Sequence, residues 1–103
     1  MPLITTETHV DRPVRIGAAV HANAISGANI VRDLRETIPN TIGGHMTRYE
    51  ALLDQTISRA LRSLEDKAQE QGYDGVIGVR VSHPTITTGA VCVVVYGTGF
   101  NFA

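Results

Sequence analysis

The sequence predicts an α+β domain in which an antiparallel sheet is covered on one face by a long helix. Two observations support this class. The hydrophobic period changes from two to about 3.6 and back to two along the chain, and the elements follow the order β-β-α-α-β-β. The 103 residues suffice for a single domain, residues 1–103, which would bury about two thirds of its extended surface.

Composition narrows the possible functions. Hydrophobic residues make up 43% and charged residues 18% of the chain, and the formal net charge is −1. This balance excludes the clustered basic surface that nucleic acid requires, and no apolar run reaches the roughly 18 residues of a membrane span. The first residues lack the features of a signal peptide. We therefore expect a cytoplasmic protein without nucleic-acid or membrane partners.

The first third of the chain predicts two β segments and one helix. A short β segment covers Leu3–Thr6. A strand covers Val14–Ala22, and its alternation places these residues on one face: Val14, Ile16, Ala18, Val20 and Ala22. Ser26 is the predicted N-cap of a first helix, which ends near Ile38 because Pro39 disfavours helical backbone at the residue before it.

A long second helix follows a glycine-containing loop. The loop is predicted over Asn40–Met46, and the helix over Thr47–Gln71. Thr47 and Glu50 form a capping box, in which each side chain satisfies a backbone amide of the first turn. Gly72 is the predicted left-handed residue that ends the helix. The apolar stripe of this helix recurs at steps of three and four: Tyr49, Leu53, Ile57, Ala60, Leu64 and Ala68.

Two strands are predicted near the C-terminus, Gly75–Ser82 and Ala90–Tyr96. Alternation in the first strand directs three residues inward: Ile77, Val79 and Val81. The second strand is apolar on both faces, with Val91, Val93 and Val95 on one and Ala90, Cys92, Val94 and Tyr96 on the other. Gly97-Thr98-Gly99 is predicted to loosen its end.

The two-faced apolar strand predicts self-association. One layer of helices covers only one face of a sheet, so at least three apolar side chains would remain in water, at a loss of several kcal/mol. A second copy of the chain would cover them, and closed homo-oligomers are common. The alternative is a monomer in which loops, together with Phe100 and Phe102, shield the strand.

Several motifs occur in a distinctive order along the chain. They are Ile25–Asp33 (ISGANIVRD), Gly43-Gly44, Tyr49-Glu50, Gly72–Val79 (GYDGVIGV) and Gly97-Thr98. With these motifs the chain resembles, over nearly its whole length, the YbjQ family of small bacterial and archaeal proteins of unknown function. The resemblance implies a dodecin-like α+β subunit that assembles as a ring, a pentamer. It also implies heavy-metal binding.

Metal ligands are sought among four histidines and one cysteine. His9, His21, His45 and His83 are 12, 24 and 38 residues apart, without the close pairing typical of metal sites. His21, His45 and Cys92 are the candidates for a divalent or soft metal ion, which would have to assemble in space, in particular between subunits. The alternative is that the histidines are ordinary loop and strand-end residues and that Cys92 is a small hydrophobic residue of the core.

Polar residues of the family motifs form the second candidate site. Backbone amides at Gly43-Gly44 could hold an anion beside the other members of this set: Asn29, Arg32, Asp33, Tyr49 and Glu50. The alternative is structural, in which these residues tie the first helix to a neighbouring chain and Glu50 completes a cap.

The sequence offers little support for catalysis. It contains no nucleophile elbow and no nucleophile with an identifiable base. The favoured function is a non-enzymatic homo-oligomer for binding or assembly. The alternatives are a heavy-metal-binding module that uses histidines or Cys92, and a small-ligand or anion site between subunits near Gly43-Gly44.

Overall fold

The computed structural model describes residues 1–9, 11–26, 42–84 and 90–103, with residues 42–49 described by their backbone alone. These residues form an α+β fold with one helix and a three-stranded antiparallel sheet. The elements are β1 (Val14–Ser26), α1 (Ile42–Glu70), β2 (Gly75–Ser82) and β3 (Val91–Phe102). None of the described helical residues forms a stretch long and apolar enough to cross a membrane.

The described elements follow the order β-α-β-β. The predicted first helix lies outside the described residues, apart from Ser26. Ser26, the predicted N-cap, is the last residue of β1, and its hydroxyl lies 2.6 Å from that of Thr56. β1 is therefore four residues longer than alternation predicted.

β3 is the central strand, paired with β1 on one side and β2 on the other. The N-terminal segment 2–6 runs along the outer edge of β2. There the amide of Ile4 donates to the carbonyl of Val76 at 2.8 Å, and the amide of Val76 donates to the carbonyl of Pro2 at 3.1 Å. The predicted β segment at Leu3–Thr6 is thus a single parallel bridge, from Leu3 to Val76, rather than a strand.

The core lies between α1 and one face of the sheet. From β3, Val91, Val93 and Val95 are fully buried, which confirms the face predicted for them. The helix contributes three fully buried residues of its predicted stripe: Ala60, Leu64 and Ala68. Small residues on the helix let its backbone approach the sheet closely.

The end of α1 was predicted correctly and its beginning was not. Gly72 has a φ of 83°, its amide donates to Gln69 O, and the amide of Tyr73 donates to Ala68 O, which is the Schellman pattern. The helix begins at Ile42, five residues before the predicted Thr47. The predicted loop is therefore partly helical, and Thr47 and Glu50 lie inside the helix rather than at its cap.

Two β-bulges interrupt the predicted alternation. Pairing with β3 shifts by one residue between Ile16 and Ala19 in β1, and again between Ile77 and Arg80 in β2. Ile16 therefore lies on the face opposite α1 and is 61% exposed, although alternation grouped it with Val20. Ile77 lies on that same face, whereas β2 was predicted to direct it inward beside Val79. An extra residue in one strand reverses the facing of every residue beyond it.

β3 continues past the predicted end, through Gly97-Thr98-Gly99 to Phe102. Phe100 and Phe102 lie on the face opposite α1, where side chains from the stretch before β1 pack on them. The ring of His9 packs edge-on against both, at centroid distances of 6.0 and 5.4 Å, and the Arg12 guanidinium lies 3.7 Å from the centroid of Phe102. These contacts explain why a glycine-containing strand end stays paired.

Candidate functional site: the open face of the sheet

The sheet face opposite α1 is only partly covered. Strand pairing places alternate residues of β1 and β3 there, and we call this surface the open face. Its residues are Ala19, His21, Asn23 and Ile25 of β1 and Cys92, Val94, Tyr96 and Thr98 of β3. Arg80 of β2 joins it opposite Tyr96.

Exposure on the open face is uneven. Ile25 is 49% and Tyr96 47% exposed, while Val94 is half-buried. Cys92 is only 5% exposed, so its side chain is already buried within one chain and no partner is needed to cover it. The apolar side chains left open to solvent are thus fewer than the sequence predicted, but the patch is contiguous, because Ile25 pairs with Cys92 and Tyr96 lies two positions beyond Val94.

Two basic side chains of α1 donate hydrogen bonds to the outer edge of β1. Lys67 Nζ donates to the carbonyl of His21 at 3.2 Å, and Arg59 Nη2 donates to the carbonyl of Ile25 at 2.9 Å. Alternate residues of a strand direct their backbone groups to the same edge, so both bonds cover the edge that β3 leaves free. Charged side chains at such an edge oppose pairing with a further strand. A partner would meet less obstruction at the open face than at this edge.

The predicted metal ligands do not come together in the described chain. His21 and Cys92 share the open face, but Cys92 pairs with Ile25, four residues along β1 from His21 and about 13 Å away. The side chain of His45 lies outside the described residues. No group of three or more histidine, cysteine or acidic residues able to hold a metal occurs in the part of the chain that the structure describes.

The other two histidines have local partners. His9 Nδ1 accepts a hydrogen bond from the Arg12 amide at 3.1 Å, and His83 Nδ1 lies 2.6 Å from the carbonyl oxygen of Cys92. These contacts agree with the ordinary strand-end and loop roles that the sequence left open as the alternative.

The predicted polar site is largely outside what the structure describes. Asn29, Arg32 and Asp33 lie in residues 27–41, and the Tyr49 side chain is likewise not described. The backbone of Gly43 and Gly44 lies in the first turn of α1, and Glu50 is exposed.

The whole chain is similar to known proteins. A family model named YbjQ, described as "Putative heavy-metal-binding", matches residues 1–103. This chain is a member of the YbjQ family. It is 36% identical to a UPF0145 protein of Halalkalibacterium halodurans, with 93% of this chain and 92% of that protein covered. A UPF0145 protein of Halobacterium salinarum is 32% identical, with both chains covered in full.

A solved structure has the same fold. The crystal structure of a protein of unknown function from Pediococcus pentosaceus, assigned to the DUF74 family, superposes with a TM-score of 0.70 at 18% identity. The match covers 100% of this chain and 98% of that one. The YbjQ fold is thus shared by chains whose sequences have diverged widely.

Proposed function

We propose that this YbjQ-family chain is a non-enzymatic protein that acts as a homo-oligomer, a ring of five subunits, in binding or assembly. The observation that carries the proposal is the apolar patch on the open face, formed by Ile25, Val94 and Tyr96. A second copy of the chain is the occupant that we assign to this patch.

The patch keeps apolar area that a second copy could cover. Two of its large hydrophobic residues are about half exposed, Ile25 at 49% and Tyr96 at 47%. Burying such a side chain completely contributes about 1.5–3 kcal/mol, so covering the two exposed halves contributes about 1.5–3 kcal/mol per subunit. That is a considerable fraction of the stability of a small domain, about 5–15 kcal/mol.

The helix also extends past the sheet. α1 runs antiparallel to β1, and Thr56 lies beside Ser26, the last residue of β1. The helix from Ile42 to Gln55 therefore rises about 21 Å beyond the end of this strand.

Light scattering coupled to size exclusion tests the proposal directly. A pentamer would have a mass of about 55 kDa, five times the 11.1 kDa of the chain, and should persist at micromolar concentration. A mass of 11 kDa under these conditions would overturn the proposal. Another closed number of subunits would retain the oligomer and correct the ring size.

A pair of substitutions locates the interface. Tyr96→Lys places a charge in the centre of the patch and should lower the mass or weaken association by at least tenfold. Gln69→Lys adds the same charge at an exposed site near the C-terminal end of α1, away from the patch and from the part of the helix that extends past the sheet, and should leave association unchanged. Circular dichroism should show both variants folded, because neither side chain is in the core.

Heavy-metal binding is the second candidate, supported by the family description and by the place of His21 on the open face. Because His21 and Cys92 lie far apart within one chain, the ligands would come from two subunits. Calorimetry with zinc, copper and nickel on tag-free protein tests this function. Saturable binding that His21→Ala weakens would support it, and an absence of saturable binding would reject it.

An anion site at the backbone amides of Gly43 and Gly44 is the third candidate. Its support is their place in the first turn of α1, where amides lack helical partners. Titration with inorganic phosphate, followed by the amide resonances of these two glycines, tests it. Unchanged resonances at millimolar phosphate would reject it.

A further inference from the structure

The two bulges of the sheet flank the same point of the central strand. The bulge in β1 ends where Ala19 pairs with Thr98, and the bulge in β2 begins where Ile77 pairs with Thr98. Both neighbours of β3 are therefore distorted beside Thr98. Bulges redirect side chains and are over-represented next to binding sites. Two bulges beside the same residue therefore make the surroundings of Thr98 a candidate binding site.

A groove opens on the open face at this point. It has a volume of about 360 Å³ and is lined by Glu7, Ile16, Ile77, Gly78 and Thr98. This volume lies within the usual range for small-molecule sites, about 300–1,000 Å³. Ile77 is 3% exposed and forms an apolar floor, while Ile16, 61% exposed, forms a wall that a ligand could cover.

Gly78 keeps the groove open. Its φ is 63°, a conformation that other residues rarely adopt. A Cβ built at Gly78 would meet nothing within 4 Å, so the position faces free space. Its amide is held by the carbonyl of Thr6 at 2.7 Å. The N-terminal segment and the bulge of β2 are thus joined along one side of the groove.

Glu7 lines the groove, and the guanidinium of Arg80 lies beside Glu7 at the margin of the groove. Arg80 Nη1 donates to the carbonyls of Thr5 at 2.7 Å and Val79 at 3.0 Å, which orients the guanidinium. Its Nη2 is 3.9 Å from Glu7 Oε1, too far for a hydrogen bond. The Arg80 and Glu7 side chains are 48% and 85% exposed, and an exposed pair of this kind is weak. A ligand could therefore separate the two charges at little cost.

We propose that this groove binds a small zwitterion with a branched apolar side chain, of the α-amino-acid class. The ligand carboxylate meets Arg80 Nη2, its ammonium group meets the Glu7 carboxylate, and its apolar side chain lies on Ile77 and against Ile16. The Thr98 hydroxyl, for which the described residues show no hydrogen-bond partner, supplies an additional polar contact.

The charges favour a zwitterion over simpler ligands. A phosphate dianion would be repelled by Glu7, and a metal cation would find a single carboxylate beside the positive charge of Arg80. An uncharged apolar molecule would gain nothing from either charge. The groove is built from one chain, so the proposal goes beyond the oligomer proposed above and does not depend on it.

Methyl NMR on the full chain tests the proposal in an assembly of any size. The protein is labelled at the isoleucine δ1 methyl groups and titrated with L-leucine. The resonances of Ile16 and Ile77 should shift and saturate at millimolar ligand or below. The core residue Ile57 should not move. If neither Ile16 nor Ile77 shows a saturable shift up to about 10 mM leucine, the proposal is overturned. The same conclusion holds if the groove is blocked because a second copy of the chain fills it.

Two truncated probes test the ligand class. 4-Methylpentanoate retains the carboxylate and the apolar group, and isoamylamine retains the amine and the apolar group. Each should bind at least tenfold more weakly than leucine. Equal binding of the carboxylate alone would overturn the assignment of Glu7 as the ammonium partner.

Matched variants test the location. Arg80→Gln should weaken leucine binding at least tenfold, and Arg80→Lys should recover part of it. Arg62→Gln removes the same charge from an exposed position on α1 and should have no effect. Thr98→Val preserves the shape and should weaken binding a few-fold. Unchanged binding in Arg80→Gln would place the leucine elsewhere and overturn the site.

Discussion

The ring of Tyr73 packs against two glycines of the sheet, and a methyl group added at either glycine should displace this ring. The ring lies over Gly17 of β1 and Gly99 of β3. Its hydroxyl accepts a hydrogen bond from the amide of Ala18 at 2.7 Å. In Gly99→Ala the new Cβ would lie 2.5 Å from Tyr73 Cε2 and 2.7 Å from Cγ, where ordinary contact begins at 3.4 Å. The ring must therefore move by about 1 Å.

The expected loss of stability follows from two contributions. Overpacking of a well-filled site costs about 1–3 kcal/mol, and loss of the hydrogen bond to Ala18 costs about 0.5–1.5 kcal/mol. Gly99→Ala should therefore lower the free energy of unfolding by about 2–4 kcal/mol. Tyr73→Phe removes only the hydrogen bond and should cost about 1 kcal/mol, because the exposed Ala18 amide can bond to water instead.

Urea denaturation at one fixed protein concentration measures both values, since dissociation of an oligomer would add to the apparent stability. The decisive comparison is Gly99→Ala in a Tyr73→Ala background, where the methyl group has no ring to displace. Its cost there should fall below about 1 kcal/mol. An equal cost in the two backgrounds would refute the reasoning, as would a loss below 1 kcal/mol in the wild-type background.

Three further outcomes follow from the structure. Gly72→Ala should cost about 1 kcal/mol in urea denaturation, because an L side chain is strained at a φ of 83°; an unchanged midpoint would contradict this. Thr56→Val leaves the buried Ser26 hydroxyl without its partner and should cost about 1–3 kcal/mol, most of which the double change with Ser26→Ala should recover. The double variant Arg59→Ala with Lys67→Ala removes both charged side chains from the β1 edge and should raise the aggregation rate measured by turbidity. An unchanged rate would show that these side chains do not oppose pairing at this edge.

Much of the fold could be predicted because the signals are local. The bounds of β2, the end of α1 at Gly72 and the buried face of β3 follow from alternation, from the tolerance of glycine for positive φ and from the helical period. Each depends on residues adjacent in sequence or on the same turn. The resemblance to the YbjQ family, carried by motifs such as Gly72–Val79, was confirmed by the family comparison.

The errors fall where pairing between distant strands decides. Gly97-Thr98-Gly99 resembles a strand end, yet it stays paired because His9, from the other end of the sequence, packs on Phe100 and Phe102. The Thr47–Glu50 capping box likewise predicts a helix start at Thr47, but α1 begins at Ile42. A local motif signals a possible helix end without requiring one.

The candidate site was predicted in part. The sequence indicated that one side of β3 would be apolar and incompletely covered, and Tyr96 bears this out. It missed Ile16 and Ile77 as neighbours of Thr98 in the groove, and Arg80 as the partner of Glu7 at its margin. The one available signal was Gly78, since a glycine inside a strand often marks a bulge.

Within the sequence itself, the succession of apolar and polar residues determined that this chain folds as a helix packed on an antiparallel sheet, because burial depends on a periodicity that the chain carries locally. Tertiary structure alone decided which side chains share the open face. A bulge is created when two strands pair out of step, and that mismatch is a property of the pair, so neither strand records it in its own alternation.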